Sequence, residues 1–403
     1  MNIDAVLTSH PGNPIVLEGD NFSGRTDLLR RCVADRSQQG DQAIYLGSCV
    51  HRYLSSLMPS VHDELYIHAL GARHEKSLFR FAESFGLTRC FSQSPFVLSG
   101  GEQVLLTILA KLALEPDVLA LDGTLAELDQ VNKIRIVQML RASPIAEKTS
   151  TLLTENGYAA DRMEDLPIRR SVGEFVTTSR TPPRFCASDF CFIPSINTGC
   201  LEAKGIYFGY RAGSLILRDV CFRLQPGCIY SFEGGNGVGK STLAQILVGA
   251  LPLHRGSISF NGRVLNPWKN PGQTVVMHMQ NPDFQLFSDS VYKELSDLPD
   301  FSSGSAARLA GVEDLMTEHP FDLPFVLRKR LTFSIIAHLK RPWFIFDEPT
   351  VGQDIQTCDQ MVAVLRKMAR NGAGIIVISH SQEFIRRLET KRLWLEDGSI
   401  KEL

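Results

Sequence analysis

The sequence contains no uninterrupted apolar run approaching the roughly 18 residues of a membrane-spanning helix, and its opening MNIDAVLTSHPGNP has neither the basic start nor the apolar core of a leader segment. The expectation is a soluble, cytosolic chain. An excess of either charge is also lacking, since 42 Lys and Arg face 44 Asp and Glu for a formal net charge of -2. No global field draws such a chain to nucleic acid or to an anionic membrane, and binding of that kind would need a local patch. CxxC pairs are missing too. Nine cysteines, an odd number scattered along the chain, fit reduced thiols better than a disulfide framework. The nearest grouping, Cys186, Cys191 and Cys200, lacks metal-ligand spacing and reads as ordinary packing. What is present is bulk: 403 residues, 44% hydrophobic and 21% charged, enough for two to three domains that each bury a core.

Two stretches align around a glycine-bearing turn, IVLEGDNFSGRTDLL from Ile15 and IYSFEGGNGVGKSTL from Ile229. Each runs from an apolar strand through a loop into a helix start. Further landmarks recur at matched spacing. LSGGEQ begins at Leu98, 24 residues before Asp122 of the strand VLALD, and Leu323 of LPFVLRKRL stands the same 24 residues before Asp347 of WFIFD. An apolar helical stretch follows each, Val104 to Leu114 and Leu331 to Leu339. Counting 33 residues on from each aspartate reaches Glu155 in LLTEN and His380 in VISHS. The chain thus reads as a tandem duplication, residues 1 to about 165 and about 201 to 403. A connector over 166–200 carries Pro167, Pro182, Pro183 and Pro194, and its Phe175, Phe185, Phe190 and Phe192 predict that it packs against a domain. Strands alternating with helices in both halves point to an α/β core with a mainly parallel sheet.

Gly234-Gly235-Asn236-Gly237-Val238-Gly239-Lys240-Ser241, followed by Thr242, fits the phosphate-loop pattern GxxxxGK[ST]. Glycines let successive backbone N–H groups curl around phosphate oxygens, and the helix N-terminus adds positive potential. Lys240 then neutralises the β and γ phosphates of a nucleotide, and the Ser241 hydroxyl is placed to ligate Mg²⁺. The strand Phe344-Ile345-Phe346 ends in Asp347 and Glu348. This order sets Asp347 near the metal and Glu348 near an attacking water.

At these residues the chain resembles an ATP-binding cassette (ABC) ATPase with two fused nucleotide-binding domains. LSGGEQ, Leu98 to Gln103, matches that family's signature, and DEPTVGQD, Asp347 to Asp354, resembles its Walker B motif running into the D-loop. The resemblance implies that His380 senses the γ-phosphate and that Tyr210 of IYFGY stacks on adenine, with Tyr207 and Phe208 as alternatives. It also implies that Gln280 reports nucleotide state and joins Ser241 and Asp347 at the metal. A narrower likeness lies in Gln280-Asn281-Pro282-Asp283-Phe284-Gln285-Leu286-Phe287, continuing to Val291 and Glu294-Leu295. It resembles a segment of the ATPases that drive energy-coupling factor importers for vitamins and metal ions.

The family's domains pair head-to-tail, each ATP lying between one phosphate loop and the other half's signature, so the resemblance implies two composite sites. Site one joins Lys240, Ser241, Gln280, Asp347, Glu348 and His380 to Ser99, Gly100 and Gly101. Site two is degenerate. In the loop from Gly19 to Thr26, Arg25 replaces the lysine and Phe22 replaces a glycine; Gly123 replaces the glutamate, Glu155 replaces the histidine, and no glutamine near Ser48 matches Gln280. Its facing signature reads Leu323-Pro324-Phe325-Val326-Leu327, and only 18 residues precede Gly19, too few for the strands that carry the adenine-stacking aromatic. Catalysis is not expected there, although Arg25 stays cationic and Thr26 can still meet Mg²⁺.

The expected fold is therefore α/β, two tandem P-loop cassettes arranged head-to-tail with the N-terminal one truncated and degenerate. The expected function is the ATPase subunit of an importer, peripheral on the cytoplasmic face of the membrane, bound to separate transmembrane subunits and not to nucleic acid. The alternatives are a soluble twin-cassette ATPase acting on ribosome or nucleic acid, and a regulatory ATP-binding module.

Overall fold

In this computed structural model the chain divides into two compact units, Met1–Pro182 with Val351–Asp354, and Pro183–Thr350 with Ile355–Leu403. The structure describes residues 14–402 except 19–24, 48–52, 56, 71, 73, 99, 126–127, 129, 143–148, 155–168, 172–183, 189, 193–197, 211–213, 236 and 299–301. Asn236, Ser99, Glu155, Phe22 and Phe175 lie outside the described residues.

In the first unit the order is β1 (Ile15–Glu18), α1 (Arg25–Gln38), β2 (Ala43–Leu46), α2 (Val61–Ala69), α3 (Glu75–Ser84), α4 (Gly100–Leu112), β3 (Val118–Asp122), α5 (Gln130–Ala142), β4 (Ser150–Thr154) and β5 (Arg169–Ser171). The strands form one sheet in the order β2-β3-β4-β1-β5. Every pairing in it is parallel.

The second unit opens with β6 (Leu201–Phe208), β7 (Leu217–Leu224), β8 (Ile229–Glu233), α6 (Lys240–Val248), β9 (Arg255–Phe260), β10 (Arg263–Leu265) and β11 (Val275–His278). It continues with α7 (Val291–Ser296), α8 (Ser302–Ala310), α9 (Phe325–His338), β12 (Trp343–Asp347), α10 (Ile355–Arg370), β13 (Gly374–Ile378), α11 (Gln382–Leu388), β14 (Lys391–Glu396) and β15 (Ser399–Glu402). Its main sheet has the order β11-β12-β13-β8-β14-β15, so β11, β12, β13, β8 and β14 repeat the first unit's order strand for strand. A separate antiparallel sheet, β10-β9-β6-β7, has no counterpart among the described residues of the first unit.

Strands β12 and β13 read WFIFD and GIIVI and are buried throughout. Continuous apolar runs of this kind suit parallel strands covered on both faces. Helix α10 covers part of the sheet with Cys358, Met361, Leu365 and Met368, an apolar stripe at helical spacing. Helices α4 and α9 begin at Gly100 and Phe325, earlier than the apolar stretches from Val104 and Leu331 indicate. Apolar periodicity marks turns with apolar side chains only, so it misses the glycine-bearing first turn of α4 and is interrupted in α9 by Arg328, Lys329 and Arg330. Pro324, with its preset φ, opens α9.

The break between the units falls inside the proline-rich connector, and the connector's second half packs on the second unit. Phe185 meets Phe333 edge-on at 5.7 Å, Phe190 meets His338 at 5.1 Å and Phe192 meets Phe344 at 5.8 Å. All three phenylalanines are buried, each worth about 1.5–3 kcal/mol of apolar transfer. Trp343 fixes the end of the strap by donating from Nε1 to the Gly199 carbonyl at 2.8 Å.

Gly374, paired with Trp343 in the sheet, leaves room for that indole: a Cβ there would sit 2.4 Å from its Cε3. Gly374→Val should therefore destabilise the protein by about 1–3 kcal/mol, as overpacking does. Urea unfolding of both proteins checks this, and an unchanged midpoint and slope would contradict it.

Candidate functional site

The candidate site gathers at the C-terminal ends of the parallel strands β8, β12 and β13, where loops of an open α/β sheet converge. Strand β8 delivers the chain to Gly234, and the loop through Gly237 and Gly239 leads into α6. Lys240 is buried, and its ammonium folds over its own loop to donate to the Gly234 carbonyl at 2.9 Å and the Gly235 carbonyl at 2.8 Å. Burial lowers its pKa, against the attraction of Glu348 and Asp347. A cation held by two backbone carbonyls exchanges them for phosphate oxygens at little cost, because one set of oxygen acceptors replaces another.

Asp347 closes β12, and Glu348 follows it. Glu348 sits at φ +46°, in the left-handed region that costs a non-glycine residue about 1–3 kcal/mol. Its backbone is held by a bond to the Ile378 carbonyl at 2.8 Å. The carboxylate is clamped as well: Oε1 accepts from the His380 backbone N–H at 2.8 Å and Oε2 from the Ser379 hydroxyl at 3.3 Å. The His380 ring is half-exposed, with Nε2 3.8 Å from the same carboxylate. Burial, with Glu348 adjacent, pushes Asp347 up to about 6, opposed by the Ser241 hydroxyl and by Lys329 and Lys240. Burial pushes Glu348 up to about 7, opposed by Lys329 and by the His380 and Ser379 donors.

This arrangement fits Mg²⁺. The Ser241 hydroxyl is hydrogen-bonded to Asp347, so two hard oxygen donors already share one spot beside a second carboxylate. Among the described residues no group of three or more His, Cys, Asp or Glu forms a metal cage. A serine and one aspartate completing their set with substrate phosphates and water is the usual way Mg²⁺ is held.

Of the aromatic candidates, Phe208 is buried and Tyr207 lies under the Arg255 guanidinium at 4.9 Å. Tyr210 is 60% exposed, and its hydroxyl lies 3.2 Å from the Thr242 hydroxyl, which ties it to the helix after the phosphate loop. Gln280 follows β11, and its backbone carbonyl accepts from Lys329 Nζ at 2.6 Å. Gly100 and Gly101 form the first turn of α4 in the other unit.

In the first unit the corresponding positions are engaged differently. Asp122, the counterpart of Asp347, accepts from the Tyr45 hydroxyl at 2.6 Å and from the Thr154 hydroxyl at 2.6 Å. Tyr45 is pushed well above the ordinary phenol range, by burial first and then by Asp122. Gly123, the counterpart of Glu348, keeps the left-handed backbone at φ +62°, which glycine adopts freely. Its N–H donates to the Thr154 hydroxyl at 2.9 Å. Arg25 is buried and donates to the Leu17 carbonyl at 3.5 Å. The carboxylate that would serve a metal is thus satisfied by the protein's own hydroxyls.

Two features go beyond the motif reading. Arg328, Lys329 and Arg330 of α9 are all buried, each with less than 4% exposure. A run of three cations at the start of an otherwise apolar helix was the available signal. The second feature is a repeat, SVHDEL at Ser60 and SVYKEL at Ser290. Ser60 caps α2 through the Asp63 N–H and Ser290 caps α7 through the Lys293 N–H. Glu64 and Glu294 turn back to accept backbone N–H groups of the preceding loop, from Ser55 at 2.9 Å and from Ser288 at 2.6 Å. At the same place in each loop an apolar side chain stands out, Leu57 81% and Phe287 85% exposed.

Comparison with known proteins agrees with this construction. Residues 217–351 match the ABC transporter family. The chain is 27% identical over 358 residues to a "Putative ABC transporter ATP-binding protein" of Treponema denticola, covering 81% of this chain and 72% of that protein. A relative of the same description in Methanosarcina acetivorans is 26% identical over 343 residues, 77% of this chain and 64% of its own. Among solved structures, that of ribosome-bound archaeal Pelota and ABCE1 has a TM-score of 0.69 at 16% identity, covering 98% of this chain and 74% of the matched one. That likeness shows the fold over both units.

Glu348→Gln should keep nucleotide binding while lowering ATP turnover by about two orders of magnitude or more, some 3 kcal/mol of transition-state stabilisation. Phosphate release and fluorescent-nucleotide titration measure the two separately. Wild-type turnover in the variant would remove Glu348 from the reacting centre.

Proposed function

From a chain that carries an ABC-type ATPase domain, we propose the ATP-hydrolysing subunit of a membrane importer, with one catalytic site, in the second unit, and one disabled site, in the first. The observation that carries the catalytic part is the clamped Glu348 beside Asp347 and Lys240. In the proposed reaction the Lys240 ammonium leaves the Gly234 and Gly235 carbonyls for the β and γ phosphates, and Tyr210 takes the adenine face. Mg²⁺, held by Ser241, Asp347 and Gln280, would supply charge neutralisation at the phosphates. Glu348 orients the attacking water and draws on its proton, while His380 faces the γ-phosphate from the end of β13. The LSGGEQ motif, with Ser99, Gly100 and Gly101, supports a nucleotide-binding role for that segment of the first unit.

The disabled site follows from its substitutions. Arg25 brings a broad planar head where a compact ammonium is needed, Asp122 is held by Tyr45 and Thr154, and no carboxylate stands at Gly123. Removing a single donor or base from a phosphoryl-transfer site costs orders of magnitude.

The transport part rests on the exposed face of the Gln280 segment. Phe284 and Phe287, on a loop, and Tyr292, in the first turn of α7, are 68%, 85% and 60% exposed; the loop is braced by Gln285, whose side chain accepts from the Met279 N–H at 2.7 Å and donates to the Met277 carbonyl at 2.8 Å. A hydrogen-bonded segment offering apolar side chains suits a short helix of a transmembrane partner, and the relatives described as transporter ATP-binding proteins fit that setting. No described helix is long and apolar enough to cross a membrane.

A second reading, a twin-cassette ATPase working on ribosomes, draws on the whole-chain fold likeness to the ribosome-bound ABCE1 structure. Fractionation separates the two. The importer reading expects the chain to co-purify with integral membrane proteins from native membranes, and Phe287→Asp to release it while basal ATP hydrolysis stays within about twofold. Sedimentation with ribosomes, and none with membranes, would replace it by the second reading.

A further inference from the structure

By its spacing from Asp347, helix α9 takes the place of a signature helix, but the chain entering it reads Leu323-Pro324-Phe325-Val326-Leu327 where small residues belong. Its next three side chains turn inward and part company, as successive residues of a helix must, about 100° apart. Arg328 is 3% exposed, pairs with Asp283 at 2.7 Å and donates to the Leu323 carbonyl at 2.6 Å. Arg330 reaches Thr357 of α10 at 2.8 Å, a few residues beyond the DEPTVGQD segment. Lys329, between them, has no exposed surface, and its ammonium donates to the backbone carbonyl of Gln280.

We propose that Lys329 is a positioning residue for ATP hydrolysis, its buried ammonium pinning the Gln280 backbone beside Asp347 and Glu348 so that the loop and the carboxylates keep one geometry.

Burial of a lysine ammonium costs several kcal/mol unless oxygen acceptors and opposite charge compensate it. Both are at hand. The Gln280 carbonyl provides the acceptor at 2.6 Å, and the Phe325 ring lies 5.9 Å from the ammonium. Its field also reaches both Asp347 and Glu348 and favours their ionised forms against burial. Arg328 holds the same loop three residues on, at Asp283, so the segment is attached to α9 at two points. A displacement of α9 would thus pull Gln280 relative to the carboxylates, and with it the geometry in which a water is activated.

The inference rests on the ATPase reading of this site, and its test has one arm independent of turnover. Lys329→Met keeps most of the stem volume and removes charge and donor; Lys329→Gln keeps a donor without the charge. In the full chain, amide hydrogen exchange across residues 279–286 should rise in Lys329→Met and return toward wild type in Lys329→Gln, with the melting temperature of each close to wild type. Lys329→Met should lower kcat about tenfold or more while KM for ATP stays within about threefold, and Lys329→Gln should recover part of kcat. Unchanged exchange in Lys329→Met, or a fall in kcat matched by equal losses in KM and melting temperature, would overturn the proposal. If Lys329→Met does not fold, Lys329→Gln alone decides: raised exchange with full loss of kcat, no better than Lys240→Ala, would overturn the role of the carbonyl bond. A wild-type chain without ATP turnover would count against the ATPase reading, and the exchange comparison would still judge Lys329.

Discussion

The structure of the second unit turns on placing two adjacent carboxylates, Asp347 and Glu348, at the buried end of strand β12. Burial pushes both up, to about 6 and about 7, and like charges side by side compound the cost for Asp347. The surroundings answer that cost. Lys240 and Lys329 bring positive charge from α6 and α9, Ser241 bonds Asp347, and the Ser379 hydroxyl and His380 N–H hold Glu348. These groups come from separate stretches of chain, and the parallel sheet is what delivers them to one edge. A pair of carboxylates so arranged is poised for Mg²⁺ and phosphate, which would complete the neutralisation.

The first unit shows the same frame with that demand removed. Its sheet has the same strand order, and its helix α2 keeps the serine cap and the inward glutamate of α7. At the strand end only Asp122 remains acidic, and it is satisfied by Tyr45 and Thr154. Gly123 retains the left-handed turn without its strain and without a side chain. The frame that presents Leu57 is thus kept where the paired carboxylates are not.

Much of this was legible in the sequence, for definite reasons. Glycines, Lys240, Asp347 and Glu348 are tied to phosphate chemistry at fixed spacing, and apolar runs such as WFIFD and GIIVI announce buried parallel strands. Matched intervals of 24 and 33 residues disclosed the duplication. What stayed hidden depends on partners far apart in sequence. No local pattern tells that Tyr45 and Thr154 meet on Asp122, since the hydroxyls lie on different strands. Lys329 looks like a solvated charge until the helix is seen to face the Gln280 loop. The connector illustrates both sides: its phenylalanines predicted packing, whereas their individual seats on Phe333, His338 and Phe344 needed the fold.

In the proposed function each chain turns over ATP at the Lys240 site alone. Trapping with vanadate locks ADP only where hydrolysis chemistry has been reached. Counting trapped ADP per chain after removal of free nucleotide therefore measures catalytic sites directly. The expected value is near one, lost completely in Lys240→Ala and retained in Arg25→Ala. A value near two, or trapped ADP that survives Lys240→Ala, would contradict it.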